Sequence, residues 1–203
     1  IIFIDAKKFV QYISDFGACA VCDARGISGI KAFFLYLMIE EVIEVNPTTL
    51  LETPKIGKKL PVVLSVEEID RLLAAIDLSK PEGQRNKAIL ETLYSCGLRV
   101  SELINLKISN VYPDLGFLRV VGKGNKERLI PISHKALKEI NLYYQDRRRL
   151  LKIENSDGNI VFLNRRGKRL TRVMIFTIVK NLANKIRIKK KISPHTFRHS
   201  FAT

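Results

Sequence analysis

The chain has 203 residues, 46% of them hydrophobic, and a formal net charge of +15. That length buries at least one proper core and accommodates one or two domains, and the charge points to a polyanionic partner, whose phosphates a basic surface attracts sequence-independently. Three cysteines without an even framework argue against a disulfide-stapled secreted fold. No apolar run reaches the about 18 residues of a membrane helix, and no charged-then-apolar leader is present, so a cytoplasmic protein without a membrane partner is expected.

The distribution of charge is more telling than its total. Residues 1–50 carry 4 Lys/Arg against 6 Asp/Glu, whereas the segment from Arg147 onward holds 16 Lys/Arg and only 2 Asp/Glu. A solvated face or a basic tail is the competing reading, but Ile160-Val161-Phe162-Leu163 and Val173, Ile175, Phe176, Ile178 and Val179 interleave that run. A basic segment patterned in this way reads as a folded domain, and such domains most often bind nucleic acid.

In chain order, Asp5 to about Phe16 and Ile27 to about Val45 have amphipathic helical patterns, the second with Ile27, Ile30, Phe34, Leu37 and Met38 on one stripe. Asn46-Pro47, Pro54, Gly57-Lys58-Lys59 and Pro61 then break all periodicity and read as a linker. The division is residues 1–50, a linker over 51–62, and a larger domain over 63–203. Ser65-Val66-Glu67-Glu68 is a capping box that starts a helix. A second helix, about Gln84 to Cys96, ends at Gly97, the residue type that accepts positive φ. Phe117 to Val121 and Arg128 to Ile132, joined through Gly122-Lys123-Gly124-Asn125-Lys126-Glu127, form a β-hairpin with Lys123 at its tip region. A helix from about His134 to Leu151 follows, then a short strand Ile160 to Leu163 and a helix from about Arg172 to Ile186. A last helix opens with Ser193 as N-cap and Pro194 at its first position, which sets His195 and Arg198 on one face.

A phosphoryl-transfer site holds a phosphate and stabilises the extra negative charge of its transition state, which the rigid forks of Arg99 and Arg198 suit. An alkoxide is a poor leaving group, so a positioned ammonium acid is useful, with Lys123 the candidate and Lys126 its rival on the same turn, and His195 offers an imidazole for proton transfer. Cys19-Ala20-Val21-Cys22 has only Cys96 to join it, so a zinc or redox site is not expected. His195 and His199 lack the glutamate of a zinc-protease helix, and Gly122-Lys123-Gly124 is no P-loop.

Gly97-Leu98-Arg99-Val100-Ser101-Glu102-Leu103, Gly122-Lys123-Gly124-Asn125-Lys126-Glu127-Arg128 and His195-Thr196-Phe197-Arg198-His199, in this order, resemble the arginine, lysine and His-x-x-Arg boxes of the tyrosine recombinase (lambda-integrase) family, and within it the Xer recombinases. The segment Ile27 to Phe34 resembles the end of that family's core-binding domain. The resemblance implies a mainly α fold with a small antiparallel β-sheet, a catalytic domain preceded by part of a helical SAM-like domain. It also implies that Arg99 and Arg198 clamp the scissile phosphate, that His195 assists the attacking tyrosine, that Lys123 protonates the leaving 5′-hydroxyl, and that Glu102 orients these groups. No metal or other cofactor is implied, because a covalent phosphotyrosine conserves the bond energy. The implied partners are double-stranded DNA with specific recombination sites, a second recombinase in a tetrameric synaptic complex, and a cell-division DNA translocase.

In that family the nucleophilic tyrosine follows the His-x-x-Arg box, whereas Tyr12, Tyr36, Tyr94, Tyr112, Tyr143 and Tyr144 all precede it. The chain begins Ile-Ile-Phe-Ile and stops inside Arg198-His199-Ser200-Phe201-Ala202-Thr203, so it is expected to be a piece of a longer enzyme, inactive by itself. An integrase of a phage or conjugative element, a type IB topoisomerase and a non-catalytic DNA-binding module remain as alternatives.

Overall fold

The computed structural model describes residues 8, 11, 12, 15, 20–54, 62–150 and 152–201, with Lys123 described by its backbone alone. The chain divides into two compact units, residues 1–60 and 61–203. Of the helix expected over Asp5 to Phe16, only Lys8, Gln11, Tyr12 and Asp15 fall among the described residues, and all four are helical; the rest of that segment lies outside them. Residues 55–61 of the expected linker likewise lie outside.

In the first unit, α1 spans Ala20–Ile39, starting seven residues earlier and ending six earlier than its apolar stripe predicts. Asp23 in its first turn suits the helix dipole. Beyond it a turn, with Glu41 at φ 56°, ends the helix just after Met38, the last residue of the stripe, short of the expected end at Val45. Ile27 packs against Leu51.

The second unit is built around α3, Gly83–Cys96, on which Ala88, Ile89, Leu90, Leu93 and Cys96 are all buried. Four other helices surround it: α2 (Val66–Ala74), α4 (Val100–Ile104), α5 (His134–Arg148) and α7 (Pro194–Phe201), with α6 (Arg172–Lys185) packed on α4 and α7. The capping box of α2 forms as expected: Ser65 Oγ accepts from Glu68 N at 3.2 Å and Glu68 Oε2 accepts from Ser65 N at 2.8 Å. At the start of α7, the Ser193 hydroxyl lies 3.4 Å from that of Thr196, and the Ser193 N–H donates to Thr196 Oγ1 at 3.1 Å. Phe197 is fully buried, contributing about 1.5–3 kcal/mol that holds α7, and with it His195 and Arg198, on the core.

A three-stranded antiparallel sheet in the order β1-β2-β3 completes the unit, with β1 at Val111–Tyr112, β2 at Phe117–Val121 and β3 at Glu127–Pro131. The hairpin is the expected one, with Leu118 opposite Ile130 and Val120 opposite Arg128, and β3 starts one residue earlier than expected. The pair β1 was too short to leave a periodic signal. The strand expected over Ile160 to Leu163 does not form. Ile160 and Leu163 make isolated bridges to Lys107 and Arg169, and the apolar run is buried core filler. Its backbone is satisfied elsewhere: Val161 N donates to Leu106 O at 2.9 Å, and Leu163 N to the Tyr143 hydroxyl at 3.0 Å. No described helix is long and apolar enough to cross a membrane.

Candidate active site

The site begins at the end of α3. Gly97 adopts φ 56° and donates to Leu93 O at 3.0 Å, so the helix stops and the chain turns back at once into α4. Arg99 is thereby placed at the N-cap of α4 in an extended conformation, with Glu102 one turn inside the helix. A Cβ at Gly97 would lie 2.5 Å from a ring carbon of Phe201, the last described residue of α7. Gly97→Ala is therefore expected to cost about 1–3 kcal/mol in the left-handed conformation alone, with the ring contact in addition. Thermal unfolding checks this: a midpoint equal to the parent's contradicts the geometry.

Glu102 is the centre of the site. Its side chain is only 2% exposed, while those of Arg99, Arg128 and Arg198 are 45%, 38% and 33% exposed. Glu102 Oε2 accepts from the Arg99 backbone N–H at 2.8 Å and from Arg128 Nη2 at 2.9 Å, and Oε1 accepts from Arg99 Nη1 at 3.0 Å. Arg198 Nη1 donates to Gly97 O at 2.7 Å and stands 3.9 Å from Glu102 Oε2. Three guanidiniums thus gather at one buried carboxylate, on side chains that stay one-third to nearly one-half exposed. A net-positive cluster of guanidinium forks has the chemistry to bind an oxyanion.

Of the residues singled out in the sequence, Arg99, Glu102 and Arg198 are brought together here. Lys123 opens a short 3-10 turn, Lys123–Asn125, in the hairpin connection, with Gly124 at φ 72° and Asn125 at φ 57°. Its side chain lies outside the described atoms. The turn adjoins the cluster, since a Cβ at the preceding Gly122 would sit 3.7 Å from Glu102 Oε1. Lys126 is exposed and its carbonyl closes the turn by accepting from Gly122 N at 2.8 Å. His195 stands exposed on α7, one turn before Arg198. Arg128 escaped the sequence reading. Its signal was its place two residues before Ile130, because alternate strand residues share a face and Ile130 is buried.

Tyr94, Tyr143 and Tyr144 of the second unit serve packing. Tyr143 is buried and stacked on Phe162 with ring centroids 5.8 Å apart, and burial raises its phenol. Burial pushes the Tyr144 phenol up to about 12, and Tyr94 packs against the core. Cys96 is also a core residue, its thiol pushed up to about 12 by burial, so it is not a nucleophile at neutral pH. Among the described residues, no three His, Cys, Asp or Glu side chains converge as metal ligands.

The architecture of the second unit is that of a tyrosine recombinase catalytic domain. Among solved structures, XerH site-specific recombinase in its post-cleavage complex with a palindromic difH substrate has a TM-score of 0.79 at 22% identity, covering 97% of this chain and 60% of that one. The XerA recombinase gives a TM-score of 0.62 at 27% identity, covering 100% and 68%. Residues 62–203 match the phage integrase family. Tyrosine recombinase XerD of Staphylococcus haemolyticus is 42% identical over 204 residues, covering 99% of this chain and 69% of the relative. XerD of Listeria monocytogenes is 39% identical over 199 residues, covering 98% and 67%. The chain belongs to the phage integrase family, as a tyrosine recombinase of Xer type.

Proposed function

We propose that the protein recombines DNA at specific sites by cutting and rejoining one strand at a time through a 3′-phosphotyrosyl link. The observation that carries this reading is the pair of part-exposed arginines, Arg99 and Arg198, gathered at one buried carboxylate. They clamp the scissile phosphate and neutralise the charge that grows on its oxygens in the transition state. The tyrosine oxygen attacks phosphorus as the bond to the 5′-oxygen breaks. The phenolic proton passes to His195, which also bonds a phosphate oxygen, and the departing 5′-oxygen takes a proton from Lys123. Glu102 fixes the guanidiniums in place. The phosphodiester bond energy is retained in the phosphotyrosine, so the step needs no metal or nucleotide.

The 42% identity to XerD supports a paired mode of action, in which this recombinase and a second one form a tetrameric synapse on two double-stranded sites. Resolution of chromosome dimers in the cytoplasm, under a cell-division DNA translocase, is the proposed role. The attacking tyrosine is none of those buried in the second unit. The XerD relative of Staphylococcus haemolyticus, 69% covered by this chain, is the longer protein, and the tyrosine is assigned to residues outside these 203.

A nicked suicide substrate, in which the cleaved end diffuses away and rejoining is blocked, tests the proposal. The full-length protein is expected to be trapped on DNA through tyrosine, and residues 1–203 alone to bind without forming an adduct. Absence of an adduct with the full-length protein overturns the proposed chemistry. An adduct on the 203-residue chain overturns the assignment of the tyrosine.

A further inference from the structure

We propose that Arg128 is a positioning residue that sets the distance between the Lys123 turn and the arginine pair. The inference rests on the reading of Lys123 as the acid. Arg128 lies in β3 opposite Val120, on the same side of the strand as buried Ile130. Its Nη2 meets Glu102 Oε2 at 2.9 Å, the same oxygen that accepts the Arg99 backbone N–H at 2.8 Å. One carboxylate therefore ties α4, which carries Arg99, to β3, which leads out of the Lys123 turn.

The inner side of the hairpin is held on the core by buried Leu118, Val120 and Ile130, and Arg119 donates to Asn110 Oδ1 at 3.0 Å. The Arg128–Glu102 contact adds a directional polar tie from β3 to the arginine cluster itself. Phe117, Val121 and Leu129 are exposed on its outer side, and the Arg119–Glu127 pair at 3.6 Å joins two solvent-exposed side chains. Exposed pairs of that kind contribute little. The Arg128–Glu102 contact differs because its acceptor is buried. The start of the turn lies against this pair: a Cβ at Gly122 would stand at ordinary contact distance, 3.7 Å from Glu102 Oε1 and 3.8 Å from Arg128 Nη1. Arginine suits the task, because its planar fork fixes direction as well as charge, which an ammonium does not. A general acid acts only within hydrogen-bond reach, and a misplacement of about 1 Å costs about 10²-fold in rate.

The test is single-turnover cleavage by the full-length protein of two nicked substrates, one normal and one with sulfur in place of the bridging 5′-oxygen. In the second, the P–S bond breaks and the sulfur leaves with its electron pair as a thiolate, needing no proton. Arg128→Ala is expected to lose about 10²-fold on the oxygen substrate and to approach the parent rate on the sulfur one. Arg128→Lys shows the same pattern with a smaller loss, and carries the test should the alanine variant not fold. Lys123→Ala is the control and should also be rescued by sulfur. Rescue of Lys123→Ala but not of the Arg128 variants overturns the positioning role, as does an Arg128→Ala rate unchanged on the oxygen substrate. Failure of sulfur to rescue Lys123→Ala removes the acid assignment instead, and the inference with it.

Discussion

Arg198→Ala is expected to lower the rate of strand cleavage by the full-length protein about 10²–10³-fold, the usual cost of one lost transition-state donor. DNA affinity falls far less, because one phosphate contact among several is removed and the slope of log affinity against log salt flattens by about 0.9. The asymmetry follows from placement. Arg198 is anchored through Nη1 on Gly97 O at 2.7 Å, so its remaining N–H groups are aimed before DNA arrives. The fold should tolerate the change, since α7 is held by fully buried Phe197 rather than by the arginine. Arg198→Lys keeps the charge without the fork and should fall between the two. Recombination at the parent rate by Arg198→Ala, with only the affinity change, would leave Arg198 a phosphate contact with no part in the cleavage step.

Glu102→Ala has the second large effect, on stability. The carboxylate is 2% exposed and holds two guanidiniums and a backbone N–H within 3.0 Å, with a third guanidinium at 3.9 Å. Its removal leaves three positive groups facing one another with no counter-charge. Breaking a buried pair costs about 3–5 kcal/mol when the partner stays buried. Here the partners are one-third to nearly half exposed and recover water, so about 2–3 kcal/mol is the reasonable figure. That corresponds to a fall of roughly 5–10 °C in the unfolding midpoint for a domain of this size. Sulfate should restore more of the midpoint in Glu102→Ala than in the parent, because the anion substitutes for the carboxylate between the arginines. A midpoint unmoved by the substitution would mean that the cluster carries no such strain.

Much of this was legible in the sequence because the relevant signals are local. Gly97 announces a helix stop and so the emergence of Arg99, and the Gly122-to-Glu127 connector between two β-rich runs announces the hairpin. The convergence of Arg99 with Arg198, 99 positions apart, was legible only through the resemblance of three boxes to a family. Arg128 was overlooked because a charged residue beside a turn reads as solvated. Only the register with buried Ile130 turns it toward Glu102. Ile160 to Leu163 misled for the opposite reason: a short apolar run signals burial, and burial alone does not distinguish a strand from irregular chain whose polar groups are met by Leu106 and Tyr143. The early start of α1 reflects a helix continuing past its apolar stripe into Ala20-Val21-Cys22, where nothing in the sequence forbids it.

The central claim is that Arg99 and Arg198 act on the charge of one scissile phosphate. A methylphosphonate at that position replaces a charged non-bridging oxygen by an uncharged methyl group and leaves the rest of the DNA unaltered. Cleavage rates of the parent and of Arg198→Ala on the two substrates measure the claim directly. The large defect of Arg198→Ala on the phosphate should shrink to a few-fold on the methylphosphonate, where there is little charge left to neutralise. An equal defect on both substrates would contradict the account, because Arg198 would then act on something other than the phosphate.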